Sequence, residues 1–281
     1  MAPVFRFPGL AAALAILLWA GPGPAADSAV EAKTVKENSR AEQDPQETPP
    51  ARPRGVGRQW TVTLQTGFAE TFQLTLGGVF GDGPAWQNRV TFTRANLFRA
   101  GDSVSISGFN THDTPSHNND WTAGIAYRTR LLNKRGHLLY AGGGMERWRF
   151  PGVLRGAQDW IAAYHLTYAT KMKRVPVTVQ TNGWTVLHSP LPHGTIAYTT
   201  AWFDHSLHDN DRVKVILRHG PQHTYSWGFY GTHGHRVLRY AGALVVSHGR
   251  NTYEAGFRPQ YGLQQRIPHN RMWHVMLTRT F

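Results

Sequence analysis

Histidine is the residue type in this chain best suited to chemistry, since its imidazole titrates near neutral pH and binds metal ions. Fifteen histidines occur, several of them in close pairs. The stretch from His233 to His235 is the best local candidate for a metal site, which would need a carboxylate or a further imidazole nearby. Alternatively, these rings lie in loops and at strand ends. We favour this second interpretation, which assigns no metal and no cofactor.

Three dipeptides of adjacent serine and histidine are candidates for a hydrolase site. The dipeptides are His188-Ser189, His205-Ser206 and Ser247-His248. Neighbouring residues on a strand point to opposite faces, so none of these dipeptides can supply both a nucleophile and its base. A pair of Ser247 and Glu254 facing each other across a tight turn is conceivable. No catalytic residue is assigned from these spacings.

Apolar and polar side chains alternate in twelve segments bounded by turn residues. A period of two predicts β-strands with one apolar and one polar face. Residues 59–65 and 225–230 also alternate, and counting both would give fourteen strands. We favour twelve, with 59–65 as an extension of the first strand or an interfacial plug. The twelve segments are 71–80, 86–98, 103–111, 119–132, 137–148, 158–171, 175–188, 195–205, 212–218, 236–247, 252–262 and 271–281.

The final eleven residues resemble a known class of strand. Their apolar face ends on an aromatic residue and consists of Trp273, Val275, Leu277 and Phe281. This pattern resembles the closing strand of Gram-negative outer-membrane β-barrels, in which an even number of strands is joined by short inner turns and longer outer loops. The resemblance implies an all-β, transmembrane, antiparallel up-and-down barrel, twelve-stranded or alternatively fourteen-stranded, that the barrel-assembly machinery recognises.

The N-terminal residues are typical of an exported chain. Arg6 precedes an apolar run that ends near Ala20, and small residues follow up to Ala26, which predicts a signal peptide over residues 1–26. Residues 27–56 are polar and rich in proline, which predicts disorder. The barrel is expected over residues 57–281, in the outer membrane. The chain has no cysteine, so disulfides and thiolate metal sites are excluded.

Charge indicates the kind of partner. Residues 55–281 hold 24 basic and 11 acidic side chains. No nucleic-acid-binding motif is present, and outer-membrane lipid, lipopolysaccharide phosphates or small anionic solutes are the expected partners. The polar phase of the strands predicts a wet, positive lumen, in which Glu254 pairs with Arg258 or Lys214. The predicted lining residues are Arg89, His165, Arg212, Lys214, Arg218, Glu254 and Arg258.

A positive lumen favours anions over cations if it is open. The sequence therefore predicts a passive channel for small solutes with an anion preference, in which no chemistry takes place. Two alternatives stay open. The charged groups could pair and fill a structural or binding barrel, or the barrel could hydrolyse lipid or lipopolysaccharide. The His-x-Ser arrangement that marks barrel phospholipases and lipid A deacylases is absent, which favours the channel.

Residues 220–235 are predicted to form an outer loop. They carry Trp227, Phe229 and Tyr230 among glycines and histidines. Such a segment could stack on sugars or fold into the barrel mouth as a constriction. We favour an ordinary strand tip with an aromatic anchor.

Deletion of Phe281 should impair assembly, because the closing strand would lose its terminal aromatic residue. The expected result is a lower yield of heat-modifiable barrel in outer-membrane fractions, measured by electrophoresis of unheated samples. A normal yield would contradict the role of Phe281 as part of an assembly signal.

Overall fold

The computed structural model describes residues 60–70, 72–73, 79–80, 83–113, 119–149, 158–265 and 267–281. The predicted signal peptide and polar segment, residues 1–56, lie outside the described residues. In chain order the strands are β1 (Trp60–Ala69), β2 (Phe72–Gln73), β3 (Val79–Phe80), β4 (Ala85–Ala95), β5 (Asp102–Asp113), β6 (Asn119–Lys134), β7 (His137–Arg149), β8 (Gln158–Met172), β9 (Val175–His188), β10 (Thr195–Asp209), β11 (Val213–Phe229), β12 (Thr232–His248), β13 (Asn251–Gly262) and β14 (Asn270–Thr280).

Twelve of these strands form one closed antiparallel barrel. From β4 to β14 each strand pairs with its chain neighbours, and β1 pairs with both β4 and β14. Strands β2 and β3 pair only with each other. Closure leaves no unpaired edge in the barrel, which is the condition for a sheet to exist in hydrocarbon. No helix within the described ranges is long and apolar enough to cross a membrane.

Short turns lie at one end of the barrel, at residues 96–101, 135–136, 173–174, 210–212 and 249–250. Strand β1 begins and β14 ends at this same end. Arg135 and Gly136 both have positive φ, at 52° and 78°, as a two-residue hairpin turn requires. We call this the short-turn end and the opposite one the loop end. In bacterial outer-membrane barrels the short turns face the periplasm.

The first barrel strand differs from the prediction. Residues 60–65 belong to β1, whereas 71–80 contributes only the two-residue strands β2 and β3. Strand β1 must match two partners, since Thr63 lies opposite both Thr91 and Thr280. A period-two pattern reports which faces are apolar but not which segment can pair on both edges, so the sequence did not distinguish the two segments.

The prediction of an outer loop over 220–235 is wrong. Strands β11 and β12 are each 17 residues long and meet at a tight turn at Tyr230 and Gly231. Residues 225–229 are therefore the upper part of β11 rather than a separate strand, Tyr230 lies in the turn, and the barrel has twelve strands. Irregular register after Thr224 and after Trp227 shifts the side-chain phase, which hid the continuity of this hairpin from the sequence pattern.

The closing strand has the faces that its alternation predicts. Trp273, Val275 and Leu277 are exposed on the outside, whereas Met272 and His274 are buried inside. Phe281 is also exposed, and its backbone hydrogen-bonds Val62 of β1. The terminal residues thus complete the ladder that closes the barrel.

Gly220→Ala should destabilise the barrel, because a Cβ at Gly220 would lie 1.7 Å from the carbonyl oxygen of Ala201 on β10. We expect a loss of about 1–3 kcal/mol in the free energy of unfolding, as for overpacked cores. The measurement is the urea midpoint of refolded protein in detergent micelles. Gly242→Ala is the control, since nothing lies within 4 Å of a Cβ there; equal losses in both variants would contradict the steric explanation.

Candidate functional site

Five arginines point into the barrel at middle depth. Each lies five to nine residues along its strand from the short-turn end, and we call them the lumen arginines. Outward neighbours such as Phe92 and Leu217 are exposed, while the inward phase is buried or half-buried. The alternation of the strands therefore directs these side chains into the lumen. The lumen arginines are Arg89, Arg128, Arg218, Arg239 and Arg258.

Arg218 forms a two-pronged ion pair with Asp204 across strands β10 and β11. The Nε and Nη2 atoms donate to the two carboxylate oxygens, each at 2.8 Å. The guanidinium also lies 5.9 Å from the centre of the Trp202 ring. Planar pairing of this kind fixes orientation as well as charge, and breaking one partner of a buried pair leaves a costly lone charge.

Glu254 has a different partner from the one predicted. Its carboxylate accepts a hydrogen bond from His274 Nε2 at 2.9 Å, and it interacts electrostatically with Arg218 and Arg258. Lys214 instead lies 3.8 Å from Asp209, close to the short-turn end. Pairing of Glu254 with Lys214 is therefore wrong, and the link to Arg258 is electrostatic. The pairing of β13 with β14 places His274 within hydrogen-bonding distance of Glu254.

Arg239 is held by an amide rather than a carboxylate. Its Nε donates to Gln260 Oε1 at 2.9 Å, and Gln260 Nε2 donates to the carbonyl oxygen of Pro268 at 3.0 Å. Arg239 is only 1% exposed. The amide orients the guanidinium without neutralising it, so its positive charge still acts on the lumen.

Two other lumen arginines stack on aromatic rings of the inner wall. Arg89 lies 5.2 Å from the centre of Phe109, and Arg128 lies 4.2 Å from that of Tyr140. Arg89 also attracts Glu146, whose carboxylate accepts a hydrogen bond from Trp148 Nε1 at 2.8 Å. Arg128, Arg239 and Glu146 were not among the predicted lining residues. Extending the inward phase of β6, β7 and β12 over their full length would have found them.

Charge is layered along the lumen. Among the residues that the structure describes, the five lumen arginines face three carboxylates, those of Glu146, Asp204 and Glu254, which leaves an excess of positive charge at middle depth. Nearer the loop end, three aspartates are fully buried on the inner face of β5, β6 and β8. The positive lumen predicted from the sequence is thus positive in the middle and acidic towards the loops. The three aspartates are Asp113, Asp120 and Asp159.

Several inward polar groups have no hydrogen-bond partner within the described part of the chain. Both side-chain amide atoms of Gln222 are in this state, as are His165 Nε2 and Arg258 Nε at similar depth. The same holds for both carboxylate oxygens of Asp120 nearer the loop end. Buried polar groups without protein partners require water or solute, because an unmet hydrogen bond costs about 1–3 kcal/mol. The lumen is therefore polar and suited to hydration.

Most of the predicted lining residues lie on the inward-facing side of their strands. Arg89, His165, Arg218, Glu254 and Arg258 all lie on the inner phase of their strands. The ring of His165 lies over Gly142 of β7, where an added Cβ would meet it at 2.4 Å. Arg212 is the exception, since it lies in the exposed turn before β11 and does not line the wall. The strand begins one residue later than the alternation indicated.

The tip of the β11–β12 hairpin leans over the lumen. Phe229 is 1% exposed and packs edge-on against Trp148 of β7, with ring centres 6.2 Å apart. The hydroxyl of Tyr230 donates to Asp159 of β8, and its backbone N–H donates to the carbonyl oxygen of Pro192. Burial and the nearby Asp159 carboxylate raise the pKa of Tyr230 well above its usual value. The hydroxyl is therefore protonated at neutral pH.

This position of the tip differs from the favoured interpretation of an ordinary strand tip. Positive φ values at Gly228, Tyr230 and Gly231 turn the chain inward. The backbone strain is small, because two of these three residues are glycine, which adopts positive φ readily. The aromatic pair at 229–230 thus forms a contact across the mouth between β11 and the β7–β8 wall. We call this contact the hairpin latch.

The residues that the hydrolase and metal alternatives would need are not brought together within the described ranges. Ser247 lies opposite Thr252, whereas Glu254 lies opposite Val245, so the conceived Ser247–Glu254 pair is not formed. In the described ranges, the side-chain hydroxyls of Ser189, Ser206 and Ser247 make no hydrogen bond to a histidine; the backbone oxygen of Ser189 alone lies 3.3 Å from His193 Nε2. Within those ranges no group of three metal-binding side chains converges either.

No protein-family model and no curated protein matches the sequence. Among solved structures, the chain is similar to an outer-membrane channel from Pseudomonas putida F1, with a TM-score of 0.52 at 9% identity over 84% of this chain and 100% of that one. The β domain of the Bordetella autotransporter BrkA gives 0.47 at 10% identity, covering 78% and 98%. LpxR from Salmonella typhimurium gives 0.44 at 9%, covering 78% and 100%. The chain thus has the closed twelve-stranded fold of Gram-negative outer-membrane β-barrels.

Proposed function

We propose that this protein is a passive outer-membrane channel for small solutes, with an anion preference set by the lumen arginines. The observation that carries the proposal is the middle of the lumen, where, among the described residues, five arginines face three carboxylates and where the Gln222 amide and His165 Nε2 have no hydrogen-bond partner. Such a path is wet and positive. The similar barrel from Pseudomonas putida is described as a channel, which agrees with the proposal.

The mechanism is diffusion through an electrostatic filter. A small anion that reaches middle depth replaces part of its hydration shell with guanidinium N–H donors and the Gln222 amide. A cation at the same depth meets excess positive charge in a narrow space with low-dielectric walls, where the field is focused. Arg218 contributes less to this field than a lone arginine would, because Asp204 cancels most of its charge.

The aspartates near the loop end modify this filter. The carboxylate of Asp159 opposes anion entry from the loop side, so we expect the current to depend on the direction of the applied voltage. Tyr230 covers Asp159 through the hairpin latch. The latch therefore acts both on the width of the mouth and on its charge.

Arg258→Gln should weaken anion selectivity. One charge at roughly 8 Å in an effective dielectric of about 40 is worth about 1 kcal/mol for each ion, with opposite sign for anion and cation, so the anion-to-cation permeability ratio should fall roughly thirtyfold. The measurement is the reversal potential of the refolded barrel in a planar bilayer across a salt gradient. Arg212→Gln is the matched control, because it removes the same charge from an exposed turn and should leave the ratio unchanged.

Two outcomes would oppose the proposal. An unchanged reversal potential in conducting Arg258→Gln would remove the lumen arginines as the filter. Silence from correctly folded wild-type barrel would exclude a channel and favour a structural or binding barrel, or a lipid-modifying one.

Tyr230→Phe should loosen the hairpin latch, because Asp159 loses a donor and hydrogen bonds to charged groups contribute about 1.5–3 kcal/mol. We expect longer open times in single-channel records and faster amide exchange at residues 228–232. Tyr225→Phe is the control, since Tyr225 lies on β11, the strand that leads into the turn, and its hydroxyl hydrogen-bonds none of the described residues. Identical open times in Tyr230→Phe and wild type would show that the latch does not restrict conduction.

A further inference from the structure

Asp120 is a buried carboxylate on the inner wall, near the loop end of the barrel. It is the second residue of β6, and its side chain is 0% exposed, whereas the next residue, Trp121, faces outward. Neither of its carboxylate oxygens has a hydrogen-bond partner among the described residues, and no basic side chain there forms an ion pair with it. A carboxylate in this state is costly to bury, because a charge removed from water needs a compensating partner.

The two other buried aspartates at this end are in a different state. Asp159 accepts a hydrogen bond from the hydroxyl of Tyr230, and Asp113 has an interaction partner within the protein. Burial near the loop end therefore does not by itself leave a carboxylate without a partner. The state of Asp120 needs an explanation of its own.

The residue that faces Asp120 has the same deficit. Thr111 of β5 lies directly opposite Asp120, its side chain is also 0% exposed, and its hydroxyl oxygen has no hydrogen-bond partner in the described part of the chain. Facing side chains have Cβ atoms about 4.5–5.5 Å apart, which is close enough for a threonine hydroxyl to donate to a carboxylate. Thr111 does not donate to Asp120. Their oxygens face each other across the sheet without bonding to each other.

Further oxygen atoms border this pair. Gln87 of β4 lies opposite Thr111, so that Gln87, Thr111 and Asp120 form one continuous inward row across three strands. Thr122 lies two residues after Asp120 on the same face of β6, and its buried hydroxyl likewise has no partner among the described residues. Asp113 follows two residues after Thr111 on the inward face of β5. We call Gln87, Thr111, Asp120 and Thr122 the oxygen row.

The neighbouring arginine does not compensate Asp120. Arg89 is the next inward residue after Gln87 on β4, but its guanidinium lies over the ring of Phe109 and attracts Glu146. The side chains of the oxygen row are a carboxylate, two hydroxyls and an amide, and none of them is basic. The missing partner of Asp120 must therefore be a cation from outside the chain.

We propose that the oxygen row binds a calcium ion on the inner wall of β4 to β6. Calcium takes six to eight oxygen ligands at about 2.3–2.6 Å in a flexible geometry, so it bridges oxygens that are too far apart to hydrogen-bond each other. Asp120 supplies the charge, and Thr111, Thr122 and Gln87 supply neutral oxygens. Magnesium demands a near-octahedral arrangement at shorter distances, which side chains spread along one row of a wall do not provide.

The bound ion has two consequences. It neutralises the one buried aspartate at the loop end that lacks a protein partner, and it joins three neighbouring strands beside the barrel mouth. Neither depends on conduction, so a barrel that passes no ions would have the same site. The site also differs from the imidazole site considered from the sequence, because it holds fewer than three ionisable ligands and is built from oxygen alone.

The first experiment titrates calcium chloride into refolded protein in uncharged detergent micelles, followed by isothermal titration calorimetry. Lipopolysaccharide is left out, because its phosphates bind calcium themselves. We expect a single calcium ion per chain with a Kd of about 0.1–1 mM, as in extracellular modules. Asp120→Asn should bind roughly tenfold more weakly or not at all.

Asp209→Asn is the control for charge, because it removes the same carboxylate near the short-turn end, where Asp209 lies 3.8 Å from Lys214. Its calcium affinity should equal that of the wild type. No saturable binding by the wild type, equal affinity in Asp120→Asn, or tighter binding of magnesium than of calcium would overturn the proposal.

The second experiment tests the neutral ligands. Thr111→Val keeps the shape of the side chain and removes its hydroxyl, so it should weaken calcium binding without unfolding the barrel. Thr91→Val is the matched control, since Thr91 is also buried on the inward face but lies four residues from Gln87 along β4. Equal affinity in the two valine variants would show that Thr111 is not a ligand and that the oxygen row is not the site.

Stability separates a calcium site from a carboxyl group that is simply protonated. A ion that binds only the folded state stabilises it, so calcium should raise the urea midpoint of the wild type and leave that of Asp120→Asn unchanged. Without calcium, Asp120→Asn should be at least as stable as the wild type, because it removes a buried charge that lacks a partner. A wild-type midpoint that does not respond to calcium would exclude the site.

Discussion

Satisfaction of every backbone hydrogen bond within the sheet is the constraint on which this structure depends. The hydrocarbon core contains no water to hydrogen-bond the N–H and C=O groups of an open edge, so the first and last strands must pair with each other. The β1–β14 ladder meets this demand through seven opposed residue pairs, from Thr63 with Thr280 to Ala69 with His274. All lumen and outer-wall geometry follows from this ring, because the register of each strand determines which side chains meet inside and outside.

Inside the ring, the cost of burying charge organises the lumen. An isolated buried guanidinium is unfavourable, and the arginines meet the cost in different ways. Arg218 pairs with a carboxylate, Arg239 lies against an amide, and Arg128 stacks on Tyr140. The carboxylate of Asp204 cancels most of the charge of Arg218. The result is a wall that holds its arginines in fixed positions and still presents positive potential to a solute.

The barrel is also uneven around its circumference. The β11–β12 hairpin extends furthest and bends inward at its tip, so that Phe229 and Tyr230 reach the β7–β8 wall.

The sequence by itself determined the alternation of faces, and with it the fold class and the inward phase of Arg89, His165, Arg218 and Glu254. Alternation is a local property, since successive side chains on a strand must point to opposite sides. The partners of these residues depended on register, which long-range pairing sets. His274 reaches Glu254, and Tyr230 reaches Asp159, only because strands distant in sequence are brought together. Closure of the barrel likewise decided that residues 60–69, rather than 71–80, form the first strand. The first strand of a closed barrel must pair with a neighbour on each of its two edges, and this pairing exists only in the folded ring.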